Sequence, residues 1–207
     1  MTLTFTRSAL ALALALTLAA CGGKATFPVA GTIEGLKYDG LVLSTNGMTL
    51  PVAANATSFS FPTPLSYGEV YHVIAKPQPA HQTCSVGSFQ GRTGVLYNGA
   101  TDTAGRFGAI NIGVGCTTNT AALSGTITGL TSNGLQLTNG STGGGTVAPL
   151  AAATTFAFAP VAYDVTYGIT VLAQPANDVC SVSSNGTGKM GDDAVTDIVV
   201  TCVRKPA

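Results

Sequence analysis

Gly31-Thr32-Ile33-Glu34-Gly35-Leu36 returns further along the chain as Gly125-Thr126-Ile127-Thr128-Gly129-Leu130, and this recurrence decides the reading of the fold. One such match could come from composition alone, because Gly, Ser and Thr are abundant. Working outward, Gly40-Leu41-Val42-Leu43 returns as Gly134-Leu135-Gln136-Leu137, and Phe59-Ser60-Phe61 as Phe156-Ala157-Phe158. Val73-Ile74-Ala75-Lys76-Pro77 aligns with Val171-Leu172-Ala173-Gln174-Pro175, and Cys84-Ser85-Val86 with Cys180-Ser181-Val182. Shared bias does not keep so many features in one order. The chain therefore reads as two copies of one domain, split near Thr117 to Ala121.

Within each copy apolar residues alternate with polar ones, the period of half-buried strands. Ile110, Ile112, Val114 and Cys116 share one face, as do Ile198, Val200 and Cys202. Tyr71, Val73 and Ala75 form another inward row, matched with Ile169, Val171 and Ala173. Asp39-Gly40, Asn46-Gly47, Asn133-Gly134 and Asn139-Gly140 supply the turns. Trp is absent, Gly numbers 26, and Lys and Glu are scarce, which disfavours helices. The expected fold is all-β: two tandem immunoglobulin-like antiparallel β-sandwich domains, residues 28–118 and 119–207. A single barrel is the alternative, and the repeat argues against it.

Ahead of the repeats, Arg7 precedes an apolar run from Ser8 to Leu18. That run is about half the 20 residues a membrane span needs, so it reads as the core of a secretory signal peptide over residues 1–20. Leu18-Ala19-Ala20-Cys21 resembles the lipobox of bacterial lipoproteins. The resemblance implies a thioether-linked diacylglycerol on Cys21, cleavage before it, and acylation of the new amino group by a palmitate-like chain. Several acyl chains on one cysteine anchor a protein stably, at about 0.8 kcal/mol per buried CH₂. Gly22 is not the aspartate that retains such proteins at the inner membrane, so the outer membrane is the expected location. Residues 21–27 form a short lipidated tether, and Gly22 to Phe27 spans at most about 20 Å.

Five cysteines are an odd number for an exported chain. Lipidation of Cys21 leaves Cys84, Cys116, Cys180 and Cys202, an even set for an oxidising compartment. Of the three connectivities open to four cysteines, a repeat that closes on itself favours Cys84–Cys116 and Cys180–Cys202. Scattered cysteines with two histidines make a poor metal site.

The whole pattern resembles a domain that recurs, singly or in tandem, in proteobacterial lipoproteins and surface proteins. Its marks are an opening Gly-Thr-Ile-x-Gly-Leu, then Gly-Leu-x-Leu, a Phe-x-Phe pair, a strand ending near Lys-Pro or Gln-Pro, and two cysteines. The resemblance covers nearly all of residues 28–203. It implies a secreted β-sandwich of immunoglobulin-like type and carries no activity with it.

Charged residues are 9% of the chain, without a basic stripe, which argues against a nucleic-acid partner. His72 falls out of phase with the inward row, opposite Thr170 of the second copy, and His81 lies in a Pro-rich loop. Neither comes with a nucleophile elbow, and no phosphate-binding or dinucleotide fingerprint is present. Asp192, Asp193 and Asp197 do not have the spacing of an EF-hand loop. No catalytic, cofactor or metal residues are assigned. Specificity is expected where the copies differ: thirty-one residues separate the cysteines of the first copy and twenty-one those of the second. The surplus falls within Ser88 to Phe107, with Arg92, Tyr97 and Arg106 as candidate binding residues. The expected function is a lipid-anchored, non-enzymatic envelope protein, a structural or protein-binding module with an envelope or surface protein as partner. The alternative is a glycan-binding surface lipoprotein.

Overall fold

A computed structural model describes residues 24–87, 98–141 and 143–206. The chain divides into two compact units. The first runs to Ala80 and resumes with Cys84–Cys116; the second holds His81–Thr83 and everything from Thr117. Among the described residues every regular element is a strand, and no helix is long and apolar enough to cross a membrane.

The strands of the first copy are β1 (Thr26–Phe27), β2 (Val29–Glu34), β3 (Leu41–Thr45), β4 (Met48–Val52), β5 (Ser58–Ser60), β6 (Leu65–Ser66), β7 (Val70–His72), β8 (Ile74–Ala75), β9 (Gln82–Gly87), β10 (Thr101–Thr103) and β11 (Ile110–Thr118). One layer is ordered β5-β2-β11-β9; the other is built from β4-β3-β8 and the pair β10-β7. Alternation sets the faces: Val29 and Ile33 of β2, with Leu41 and Leu43 of β3, point into one core. Ile112, Val114, Tyr71 and Val73 fill it from the neighbouring strands.

The second copy repeats the plan with β12 (Thr120–Ala121), β13 (Leu123–Thr128), β14 (Gln136–Asn139), β15 (Thr146–Val147), β16 (Thr155–Ala157), β17 (Val161–Ala162), β18 (Thr166–Ala173), β19 (Asp178–Ser184), β20 (Thr187–Lys189) and β21 (Val195–Arg204). Its layers are β16-β13-β21-β19 and β15-β14-β18-β20, around Leu123, Leu135, Leu137, Ile198 and Val200. The Phe pairs sit edge to face in both cores, Phe59–Phe61 at 5.9 Å and Phe156–Phe158 at 5.8 Å.

The β-sandwich class expected from the pattern is the one observed, except that one strand pairing in each copy is parallel rather than antiparallel. β2 runs parallel to β11, and β13 parallel to β21. Parallel neighbours need a long crossover, and here the first and last long strands of a copy meet, so the intervening sandwich is that crossover. The meeting is close. A Cβ on Gly31 would lie 1.9 Å from the Ile112 carbonyl oxygen, and one on Gly125 2.1 Å from that of Ile198. This is why the repeat opens on a glycine.

Disulfides join Cys84 to Cys116 and Cys180 to Cys202. Each lies within one sheet, between adjacent strands, and Cys180 stands directly opposite Cys202 in the ladder.

Strand pairing also corrects the alignment of the copies. Ala75 pairs with Leu43, whereas Val171, not Ala173, pairs with the corresponding Leu137. The structural counterparts are therefore Tyr71 and Tyr167, Val73 and Ile169, Ala75 and Val171. His72 stands where the second copy has Gly168 rather than Thr170. A two-residue slip leaves every side chain on its face, so the inward row was read correctly from the wrong partners.

Candidate functional site

Side-chain amides in both copies hold the cysteine strand to the frame. Gln78 Oε1 accepts the Cys84 N–H at 2.6 Å, and its Nε2 donates to the Cys84 carbonyl at 3.1 Å. Gln174 does the same to Cys180 at 2.7 and 2.9 Å. The second copy adds Asp178, fully buried, which accepts from the backbone N–H and the hydroxyl of both Thr131 and Ser132 at 2.7–2.9 Å. Those bonds, the Ser132 hydroxyl first and the Thr131 hydroxyl next, lower its pKa to about 2. Gln82, also buried, holds the corresponding place in the first copy. Tyr71 and Tyr167 are pushed above the usual phenol value by burial, Tyr71 also by the Asp102 carboxylate.

Surface chemistry gathers at the end of the first unit where the chain enters it. β1 pairs with β6, and the Tyr67 N–H donates to the Ala25 carbonyl. The Gly68 N–H bonds Ala104, and the Ala104 N–H bonds Glu69, so the turn after β6 is laced to the turn after β10. Phe27 and Tyr67 lie 6.4 Å apart. Gly105 (φ 92°) closes against them: a Cβ there would sit 2.3 Å from the Tyr67 ring. Arg106 follows, bonding Asp102 at 3.3 Å with its guanidinium 5.7 Å from the Phe107 ring centre. Tyr67 is 72% exposed and Phe107 48%.

Of the residues singled out in the sequence, Arg106 belongs to this rim. Arg92, Tyr97 and Cys21 lie outside the described residues. Phe27 and Tyr67 were missed, since each sits at a strand end where period-two alternation says nothing. The repeat itself held a signal, the Tyr67-Gly68 turn standing where the second copy has Tyr163-Asp164.

In the second unit the equivalent rim has other chemistry. The Asp164 N–H bonds Met190, and the Met190 N–H bonds Val165, reproducing the lacing of Gly68, Ala104 and Glu69. Ala121, Tyr163, Gly191, Asp192 and Asp193 thus take the places of Phe27, Tyr67, Gly105, Arg106 and Phe107. Within this unit the His81 ring stacks on Tyr163 at 3.7 Å, and its Nδ1 bonds Asp192 at 2.6 Å. Asp197 is engaged by the Asn185 amide at 2.7 Å. Among the described residues no group of three or more His, Cys, Asp or Glu could hold a metal ion. His72 is exposed and bonds the Thr101 hydroxyl across β7 and β10.

No family model matches this chain, and no curated protein matches it. Among solved structures it is similar to the Bacillus anthracis TIE protein, at 11% identity and a TM-score of 0.51, over 86% of this chain and 34% of that one. Major pilin proteins T3.2 and T-13 of Streptococcus pyogenes also match, at 12% identity over 88% of this chain and 98% of theirs, with TM-scores of 0.30 and 0.29. The chain spans about a third of the TIE protein's length. The likeness to the TIE protein is one of fold.

Proposed function

We propose that this is a lipid-anchored envelope protein of the proteobacterial kind, working by display: two rigid β-sandwiches present rims and strand edges to a protein partner. The observation that carries the reading is the doubled internal frame. Each copy stiffens the same strand with a glutamine clamp and a disulfide, while the rims of the two copies carry different chemistry. Rigid frames with variable rims suit binding or structural work rather than turnover. The anchor is Cys21, and the domains stand within about 20 Å of it along the tether.

Acyl labelling and cell fractionation test this reading. The chain should incorporate labelled fatty acid and sediment with membranes. Cys21→Ala should abolish the label and release a folded, disulfide-bonded protein. A Cys21→Ala chain that keeps the label or stays membrane-bound would overturn the anchor.

A further inference from the structure

The geometry points to the rim of the first unit, formed by Phe27, Tyr67, Arg106 and Phe107, as a docking surface for the bilayer that carries the lipid anchor. The inference rests on the reading of Cys21 as that anchor and adds a second contact with the membrane.

The comparison of the two rims leads to it. In the second unit Tyr163 lies under the His81 ring, and Asp192 bonds that ring. In the first unit the matching Tyr67 is 72% exposed. The two aspartates are replaced by Arg106 and Phe107, and Ala121 by Phe27. The change is chemical as well as steric, from an acidic rim that holds an imidazole to an aromatic one with a single arginine. Amphipathic rings with a nearby long cation suit the membrane–water interface, where rings sit at headgroup level and an arginine stem lies along apolar surface.

Chain length supplies the occupant. β1 begins at Thr26, and the five residue steps from Cys21 reach at most about 15–20 Å. The Tyr67 N–H is bonded to Ala25, so the tether leaves beside the exposed aromatic ring. A surface held this near an acylated cysteine meets lipid headgroups before anything in solution. A second copy of this chain fits less well, because an incoming His81 would find arginine where Asp192 stands. The nearby carboxylates are already engaged, Glu69 by the Ser66 N–H and Asp102 by Arg106 and the Thr103 N–H. Lys24 and Arg106 balance those two acids, so docking should need no anionic lipid.

The chain has no Trp, so one introduced Trp reports its own surroundings. Full-length lipidated Tyr67→Trp protein, and separately Phe107→Trp, would be reconstituted into phosphatidylcholine vesicles with or without brominated acyl chains. Ala53→Trp serves as control. It lies beyond the Glu34 end of β2, a strand length of about 20 Å from the rim. At position 67 or 107 the emission should shift to the blue and lose most of its intensity to bromine, while the control changes little. Vesicles that float with their protein but leave both rim reporters unquenched would overturn docking and keep the anchor. A blue shift without bromine quenching, lost on diluting the protein in the membrane, would overturn it in favour of a second copy. Protein that fails to float would overturn the anchor, and docking with it.

Discussion

Gln78 and Cys84 bind each other twice, amide to peptide, and six residues apart in the second copy Gln174 and Cys180 do the same. The amide takes the place of a neighbouring strand for one residue of the cysteine strand, so a disulfide and a side-chain clamp act on the same residue.

Gln174→Ala should therefore destabilise the second unit by about 2 kcal/mol, through two lost bonds and a Cys180 N–H left without its partner. Urea unfolding of the full chain checks this, since two similar units give separable transitions once one is weakened. An unchanged midpoint for both transitions would show that the clamp is decorative.

The disulfides close loops with sequence separations of 32 and 22. The chain-entropy model gives roughly 3–4 kcal/mol for each, slightly more for the longer loop. Cys84→Ala/Cys116→Ala and Cys180→Ala/Cys202→Ala chains should each lose one unfolding transition's worth of stability while leaving the other unit in place. Loss of both units together would show that they do not fold separately.

Asp178 sets the acid limb. Its folded pKa of about 2 lies below the ordinary aspartate value of 3.8, so the unfolded chain binds the proton more readily. The stabilisation is complete above about pH 4 and is lost as pH falls toward 2. Asp178→Asn should flatten the fall in stability across that window, read by circular dichroism during acid titration. An acid limb as steep as that of the parent protein would assign the effect to other groups.

Gly125→Ala tests the parallel strand pair. Its Cβ would meet the Ile198 carbonyl oxygen at 2.1 Å and the Phe156 ring at 2.8 Å. The oxygen belongs to the backbone of a central strand and has nowhere to go. The variant should unfold or lose several kcal/mol, beyond the usual 1–3 for an overpacked core, measured by thermal melting. A loss below about 1 kcal/mol would mean that the strands can separate without cost.

The sequence by itself determined the two copies, their strands, their inward faces and the closing of each copy by its own cysteines. These features follow from local chemistry: alternation sorts Val29, Ile33, Leu41 and Leu43 to one side, and a repeat that must be self-sufficient pairs Cys84 with Cys116. Tertiary structure alone decided which strands became neighbours. The parallel meeting of β2 with β11 leaves no trace in alternation, because a strand's pattern records its face and not its partner. The counterpart of Tyr71 was hidden for the same reason, since period-two patterns look alike after a slip of two and only the pairing with Leu43 and Leu137 fixes the register. The rim was hidden most fully. Phe27, Tyr67 and Arg106 lie far apart in the chain, and what joins them is a set of backbone hydrogen bonds between turns.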